Sequence, residues 1–298
     1  MNLLILGMDG QLGSDFMTYA PHYGVSVTGL TRKDLDVTDR AQVSTVLANL
    51  EFNVLVNTTA YHGETAYADI SPTKHYLVNA IAPYYLAEHT ALNNQYLVHF
   101  STDYVFSGHI CPNEYSFSEL DIPEPSNLYG SSKLAGETII PIITNNYFIF
   151  RIASLYGHRG CKSKNRSNFP ETILKKLQKN EDVTVVDDIF MSPTSTKSIV
   201  ARTIDLLDSG NVGMYHLSGS GRCSWYDFAL EIAKYEGYDQ ERIIRSSYKS
   251  IPQMTDRGLN TSLENRNLVE SGFNNLSPWQ DNLYEYLEIR KSIYRLNQ

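Results

Sequence analysis

The first thirteen residues constrain the fold more than any other stretch of this chain. Leu3, Leu4, Ile5 and Leu6 form a short unbroken apolar run that stops at Gly7. Such a run suits a strand buried on both faces of a parallel sheet. Gly7, Gly10 and Gly13 follow at three-residue intervals, and a helical stretch begins at Ser14. Strand, glycine turn and helix in that order make a dinucleotide site. Missing side chains let backbone amides approach a pyrophosphate at the positive end of the helix. The spacing is G-x-x-G-x-x-G rather than the commoner G-x-G-x-x-G. Gly7, Gly10, Gln11, Leu12 and Gly13 are the expected contacts to the cofactor's phosphates.

The alternation continues. A second strand, 25–30, runs into Thr31, Arg32 and Lys33. A site built for NAD usually presents an acid here to the ribose hydroxyls, whereas an arginine accommodates a 2′-phosphate. Arg32 therefore points to NADPH, with NADH as the alternative. Asp36 and Val37 come next, placed to meet the adenine, and Thr38 or Asp39 caps a helix over 40–50. A third strand, 52–57, ends in Asn57, Thr58, Thr59 and Ala60. Small residues just past a strand's carboxyl end lie where an open parallel sheet receives its ligand. Thr59, Ala60 and Tyr61 are expected to face the cofactor, with Asn79 of a helix over 73–93 on the flank.

A fourth strand, 96–100, leads into Ser101, Thr102, Asp103, Tyr104, Val105 and Phe106. Pro125, Ser126 and Asn127 then read as a helix start, and Tyr129 and Lys133 fall four residues apart on that helix. Positions i and i+4 share a face, so a phenol and an amine point into the same space. In a doubly wound sheet, chemistry collects at the strands' carboxyl ends, where Thr102 emerges and the next crossover helix begins. Fold logic alone thus brings Thr102, Tyr129 and Lys133 together.

Beyond a strand at 147–150 the text changes. Residues 158–168 carry four Lys or Arg and no acid, in a chain of net charge −8. This basic loop reads either as a solvated segment or as a flap meeting substrate phosphates. Helices are expected over 169–180, 196–209 and 224–236, and strands at 183–187 and 213–217. The fold expected is α/β: a doubly wound parallel sheet with a smaller mixed α/β substrate lobe. Residues 1–155, with a return at about 183–213, form the NAD(P)-binding domain, and 156–182 with 214–298 form the lobe.

The acidic balance argues against nucleic acid or an anionic membrane as partner. Cys111, Cys161 and Cys223 are widely spaced and lack metal-ligand spacing, and no apolar run approaches bilayer length. A cytoplasmic protein is expected.

With these motifs in hand, the chain resembles the extended short-chain dehydrogenase/reductases, and within them the dTDP-4-dehydrorhamnose reductase family. The likeness rests on Gly7 to Gly13, on Ser101 to Phe106, and on Tyr129, Gly130, Lys133, Gly136 and Glu137. It continues through Phe150-Arg151, Asn168-Phe169, Ser192-Pro193-Thr194, Tyr215-His216-Leu217 and Ser224-Trp225-Tyr226. The resemblance implies reduction of a nucleotide-linked 4-keto-6-deoxy sugar, with Thr102, Tyr129 and Lys133 catalytic. It places Thr102, Asp103, Tyr104, Tyr129, Ser154, Asn168 and Arg257 on the substrate, and a homodimer is compatible with it. Two other readings stay open: an epimerase that retains its NAD(P), and a cofactor-binding regulatory subunit like the beta subunit of methionine adenosyltransferase.

Several positions depart from the family pattern. Tyr61-His62-Gly63-Glu64-Thr65 replaces a Thr-Ala-Val-Asp-like stretch, and Ser154 stands where a substrate-stacking Trp is usual. Arg257-Gly258-Leu259-Asn260-Thr261 replaces Arg-Pro-x-Asn-Ser. Lys197 falls where a carboxylate supports a metal-bridged dimer in some relatives, so no metal is expected. In the expected chemistry Tyr129 donates a proton to the alkoxide that forms as hydride reaches the ketone. A free phenol has a pKa of ~10, and lowering it to neutrality takes ~4 kcal/mol. One ammonium at ~4 Å and an effective dielectric of ~20 supplies about that much.

Overall fold

Short apolar strands need cover on both faces, and this chain provides it by alternating them with helices. The computed structural model describes residues 1–62, 71–108, 115–160, 167–250 and 258–296. Its first half runs β1 (Asn2–Leu6), α1 (Gln11–Tyr19), β2 (Ser26–Leu30), α2 (Arg40–Leu47), β3 (Val54–Asn57), α3 (Pro72–Tyr76), α4 (Ala82–Leu92) and β4 (Tyr96–Thr102). Then come α5 (Leu128–Ile143), β5 (Tyr147–Ile152), β6 (Leu155–Tyr156), α6 (Phe169–Gln178), β7 (Val183–Val186), β8 (Phe190–Met191), β9 (Thr194–Ser195) and α7 (Thr196–Ser209). The chain closes with β10 (Gly213–His216), β11 (Cys223–Ser224), α8 (Trp225–Tyr235), β12 (Ile243–Ser246), α9 (Arg266–Glu270) and α10 (Trp279–Leu296).

Six of these strands, all parallel, form one sheet in the order β2-β1-β3-β4-β5-β10. The direction of winding reverses at β1, so the crevice between the carboxyl ends of β1 and β3 is the topological switch point. One face of the sheet packs Leu3, Ile5, Val56 and Phe150 against Phe16 of α1 and Ile199 of α7. The opposite face packs Leu4, Leu6 and Leu55 against Leu47 of α2, Leu86 of α4 and Ile140 of α5. Each such side chain stabilises the fold by ~1.5–3 kcal/mol. The expected doubly wound sheet with a smaller mixed lobe is what the molecule adopts.

That lobe has its own core, with Tyr156, Ile173, Leu177, Phe228, Ile232 and Trp279 gathered between α6, α8 and α10. Strand β7 lies within the stretch expected to return to the sheet, yet it pairs with β12, and Val183 and Val185 bury themselves in the lobe core. The strand that rejoins the sheet is β10, paired with β5.

Between α3 and α4 the helix passes through a π turn, Leu77–Ile81, and the amide of Ala82 bonds to the carbonyl of Leu77. Pro83 has no N–H to offer Asn79 four residues back. Among the described residues no helix is long and apolar enough to cross a membrane.

Candidate active site

The turn after β1 is held by backbone hydrogen bonds and by the Thr58 hydroxyl, which donates to the carbonyls of Leu6 and Gly7 at 2.7 and 3.4 Å. Gly7 and Met8 both donate to the carbonyl of Leu30, at 2.9 and 3.2 Å, and Gly10 donates to Gly7 at 2.9 Å. Gly7 has φ +82°, and a Cβ on Gly13 would lie 2.3 Å from the carbonyl oxygen of Gly7. Only glycine lets α1 start this close to the strand. Gly10 occupies the cap position of α1 without a side-chain hydrogen bond. Gln11 Oε1 is buried there with no hydrogen-bond partner among the described residues. An uncapped helix start and a cradle that side chains would fill fit a dinucleotide's phosphates, whereas the unsatisfied Gln11 oxygen, an acceptor, calls for a donor such as a ribose hydroxyl. Leu12 is spent in packing against the sheet.

At the end of β2 the Arg32 side chain is 87% exposed and lies 3.5 Å from Asp36. Asp36 accepts from the Thr38 hydroxyl and amide, and these hydrogen bonds hold its carboxyl below the usual range. Val37 is buried against α2. Past β3, the amide and hydroxyl of Thr59 both donate to Asn57 Oδ1, at 3.1 and 2.6 Å. Ala60 is exposed. Asn79, in the π turn, uses its side chain within the protein: it accepts from the Tyr61 amide at 2.9 Å and donates to the Tyr61 carbonyl and to Ser132 Oγ. It therefore fixes the backbone of Tyr61, whose ring meets His75 edge-on.

Helix α5 starts where the Asn127 side chain accepts from the Gly130 amide at 2.9 Å. A Cβ on Gly130 would come 1.9 Å from the carbonyl oxygen of Tyr104, so glycine allows α5 to press on the turn after β4. That contact assembles the site. Thr102 Oγ1 accepts from the Tyr104 amide at 3.2 Å, and the Tyr104 ring meets Tyr129 edge-on at 5.8 Å between centroids. The ring of His62 lies 4.6 Å from that of Tyr129 on another side. The Thr102 hydroxyl donates to Asp103 at 3.0 Å, and the other Asp103 oxygen takes the Thr261 hydroxyl at 2.7 Å.

Lys133 points from α5 toward the sheet and is 1% exposed. Its Nζ lies 3.2 Å from His99 Nε2. Burial pushes the amine down to about 7, against a smaller upward pull from Glu137. One turn further on, Glu137 takes three hydrogen bonds from the Arg151 guanidinium, at 3.1, 3.2 and 2.7 Å, with both side chains buried. Arg151 also approaches His216 Nε2 at 3.4 Å, and burial, with Arg151 second, pushes that imidazole down to about 3.

The structure thus gathers Thr102, Asp103, Tyr104, Tyr129 and Lys133 at the carboxyl edge of β4 and the start of α5. Ser154 sits just past β5 in the left-handed region, φ +42°. Asn168 makes its hydrogen bonds within the lobe. It caps α6 by accepting from the Glu171 amide, and its amide nitrogen donates to the Gly157 carbonyl and the Tyr286 hydroxyl. Arg257, residues 161–166 of the basic loop and residues 63–65 lie outside the described residues. His158, at the start of the loop, stacks on Tyr286. Lys197 is ion-paired to Glu285.

Sequence reasoning assigned no role to His62, His99, Glu137 or Arg151. His99 stood inside an apolar strand, where a lone polar residue at an inward position was the available signal. Glu137 and Arg151 were visible only as motif letters, fourteen residues apart.

A doubly wound sheet with a glycine turn at its switch point and a Tyr-x-x-x-Lys helix over its carboxyl edge defines the extended short-chain dehydrogenase/reductases. The chain belongs to the RmlD substrate binding domain family, which it matches over residues 1–291. It is 34% identical to the spore coat polysaccharide biosynthesis protein SpsK of Bacillus subtilis (strain 168), over 97% of this chain and 98% of that one. It is 33% identical to the dTDP-4-dehydrorhamnose reductase of Aggregatibacter actinomycetemcomitans, over 77% of each chain. A crystal structure of dTDP-4-dehydrorhamnose reductase from Bacillus anthracis str. Ames in complex with NADP superposes with a TM-score of 0.88. That alignment has 28% identity and covers 96% of this chain and 98% of that one.

Proposed function

We propose that this protein reduces a nucleotide-linked 4-keto-6-deoxy sugar with NAD(P)H, NADPH being preferred. The observation that carries the reading is the contact of Tyr129, from α5, with Tyr104, whose amide donates to Thr102 at the end of β4, with Lys133 one turn further along the same helix. The near full-length likeness to SpsK and to dTDP-4-dehydrorhamnose reductases supports the substrate class. When bound, the dihydronicotinamide supplies the hydride.

Tyr129 supplies the proton, through its hydroxyl, to the oxygen that becomes the product alcohol, a contribution of ~10²–10⁴-fold. Thr102 Oγ, fixed by the Tyr104 amide, donates to the same oxygen once it turns from Asp103. Lys133 holds the nicotinamide ribose and, when charged, lowers the proton affinity of Tyr129. Tyr104 and His62, whose rings both meet that of Tyr129, position the sugar. Gly7, Gly10, Gln11 and Gly13 receive the pyrophosphate, and Arg32 receives the 2′-phosphate.

The test is a panel of nucleotide-linked 4-keto-6-deoxy sugars, generated in situ by dehydratases and followed by loss of NADPH absorbance. Stoichiometric NADPH consumption with at least one member is expected. Turnover without net consumption would make the protein an epimerase, and no turnover on any member would overturn the assignment.

A further inference from the structure

The hydrogen-bond inventory around Lys133 admits one consistent arrangement of protons. Asn57 and His99 are cross-strand neighbours on β3 and β4, and both are fully buried. Asn57 Oδ1 receives the Thr59 amide at 3.1 Å. A backbone N–H can only donate, so the amide oxygen faces Thr59 and Nδ2 faces His99 Nδ1, at 3.1 Å. An amide nitrogen is itself only a donor, so His99 Nδ1 must carry its lone pair. A neutral imidazole then has its hydrogen on Nε2, and Nε2 lies 3.2 Å from Lys133 Nζ. An ammonium there would oppose N–H with N–H, whereas a neutral amine accepts.

We propose that Asn57 and His99 are positioning residues that hold Lys133 as a neutral amine in the cofactor-free protein, so that it takes up its proton only when new acceptors are brought to it. Burial acts in the same direction on both partners: it takes His99 well below the ordinary imidazole value and Lys133 down to about 7. The charged groups around the amine do not reverse this. Glu137, on the same helix, favours the ammonium but is already engaged by Arg151 of β5, and His216 of β10 lies beyond Arg151. Ribose hydroxyls and the Tyr129 oxygen are acceptors, so cofactor binding to this site is accompanied by proton uptake at Lys133 above neutral pH. The amine is thus charged when it is needed beside the phenol and uncharged when its buried partner is the His99 N–H.

The inference rests on placing Lys133 in the active site, but its test needs neither sugar nor turnover. It stands or falls separately from the reduction panel. In the full-length, cofactor-free protein labelled with 15N-histidine, His99 is expected to show a protonated Nε2 and a bare Nδ1. In protein labelled with 13C-lysine, one Cε resonance, absent from Lys133→Met, is expected to titrate near neutral pH. Asn57→Asp replaces the amide donor with an acceptor, so His99 should move its hydrogen to Nδ1 and the Lys133 midpoint should rise toward ~10.4. The carboxylate raises the Lys133 midpoint by its charge as well, so the move of the His99 hydrogen to Nδ1 is the reading that reports the hydrogen bond. A wild-type His99 with its hydrogen on Nδ1, or a Lys133 titrating near ~10.4, overturns the proposal. Because both are wild-type readings, the outcome does not depend on whether Asn57→Asp folds. Proton uptake on adding NADP⁺, measured by calorimetry in buffers of different ionisation enthalpy, is the remaining check. No uptake at about pH 8 would refute the coupling.

Discussion

Replacing Lys133 with methionine should stabilise the cofactor-free protein at neutral pH and abolish a pH dependence that the native chain carries. The amine is 1% exposed, and burial takes it from 10.5 down to about 7, with Glu137 opposing by less. Unfolding returns it to an ordinary value of ~10.4. Its folded value is depressed, so between those two pH values the unfolded chain binds about one proton more than the native protein. Native stability therefore rises with pH across that window, by ~1.4 kcal/mol per pH unit. Near pH 7 the burden is roughly 4 kcal/mol. Methionine removes it, but leaves His99 Nε2–H without an acceptor, at ~1–3 kcal/mol. The variant should thus gain ~1–3 kcal/mol near pH 7. The assay is urea unfolding of both proteins at about pH 7.5 and about pH 9.5. Between those conditions the native protein should gain roughly 2–3 kcal/mol relative to the variant, while the buried Cys223 thiol and the tyrosines cancel in the difference. Parallel pH slopes would refute the reasoning.

Tyr129→Phe should keep cofactor affinity and lose ~10²–10⁴-fold in turnover, and near-native turnover would remove the proton-donor role. Arg32→Glu should move the NADPH/NADH ratio of kcat/KM toward NADH, since the exposed guanidinium beside Asp36 is the cation proposed above to receive a 2′-phosphate. An unchanged ratio would count against that contact. Arg151→Leu leaves the Glu137 carboxylate buried without its partner and should destabilise by ~3–5 kcal/mol in chemical denaturation. A loss below ~1 kcal/mol would show that Glu137 is satisfied by other groups.

What the amino-acid order alone determined about this protein is what depends on near neighbours. The apolar run ending at Gly7, the three-residue spacing of Gly7, Gly10 and Gly13, and the four-residue spacing of Tyr129 and Lys133 translate directly into strand, turn and helix face. Periods of this kind are set by backbone geometry. The doubly wound sheet followed from their alternation, and the sheet order agrees with it. Strand β7 was legible as a strand but not as a partner of β12, because pairing over some sixty residues leaves no local mark. Asn168, which the resemblance places on the substrate, also caps α6 ahead of Phe169 and Pro170, a role the sequence reading did not assign. Only the tertiary structure decided how the site is charged. Nothing near Lys133 in sequence places His99 against its amine, Asn57 behind that imidazole, or Arg151 on Glu137. Proton affinities follow from which groups share a water-free space, and such groups come from strands and helices far apart along the chain.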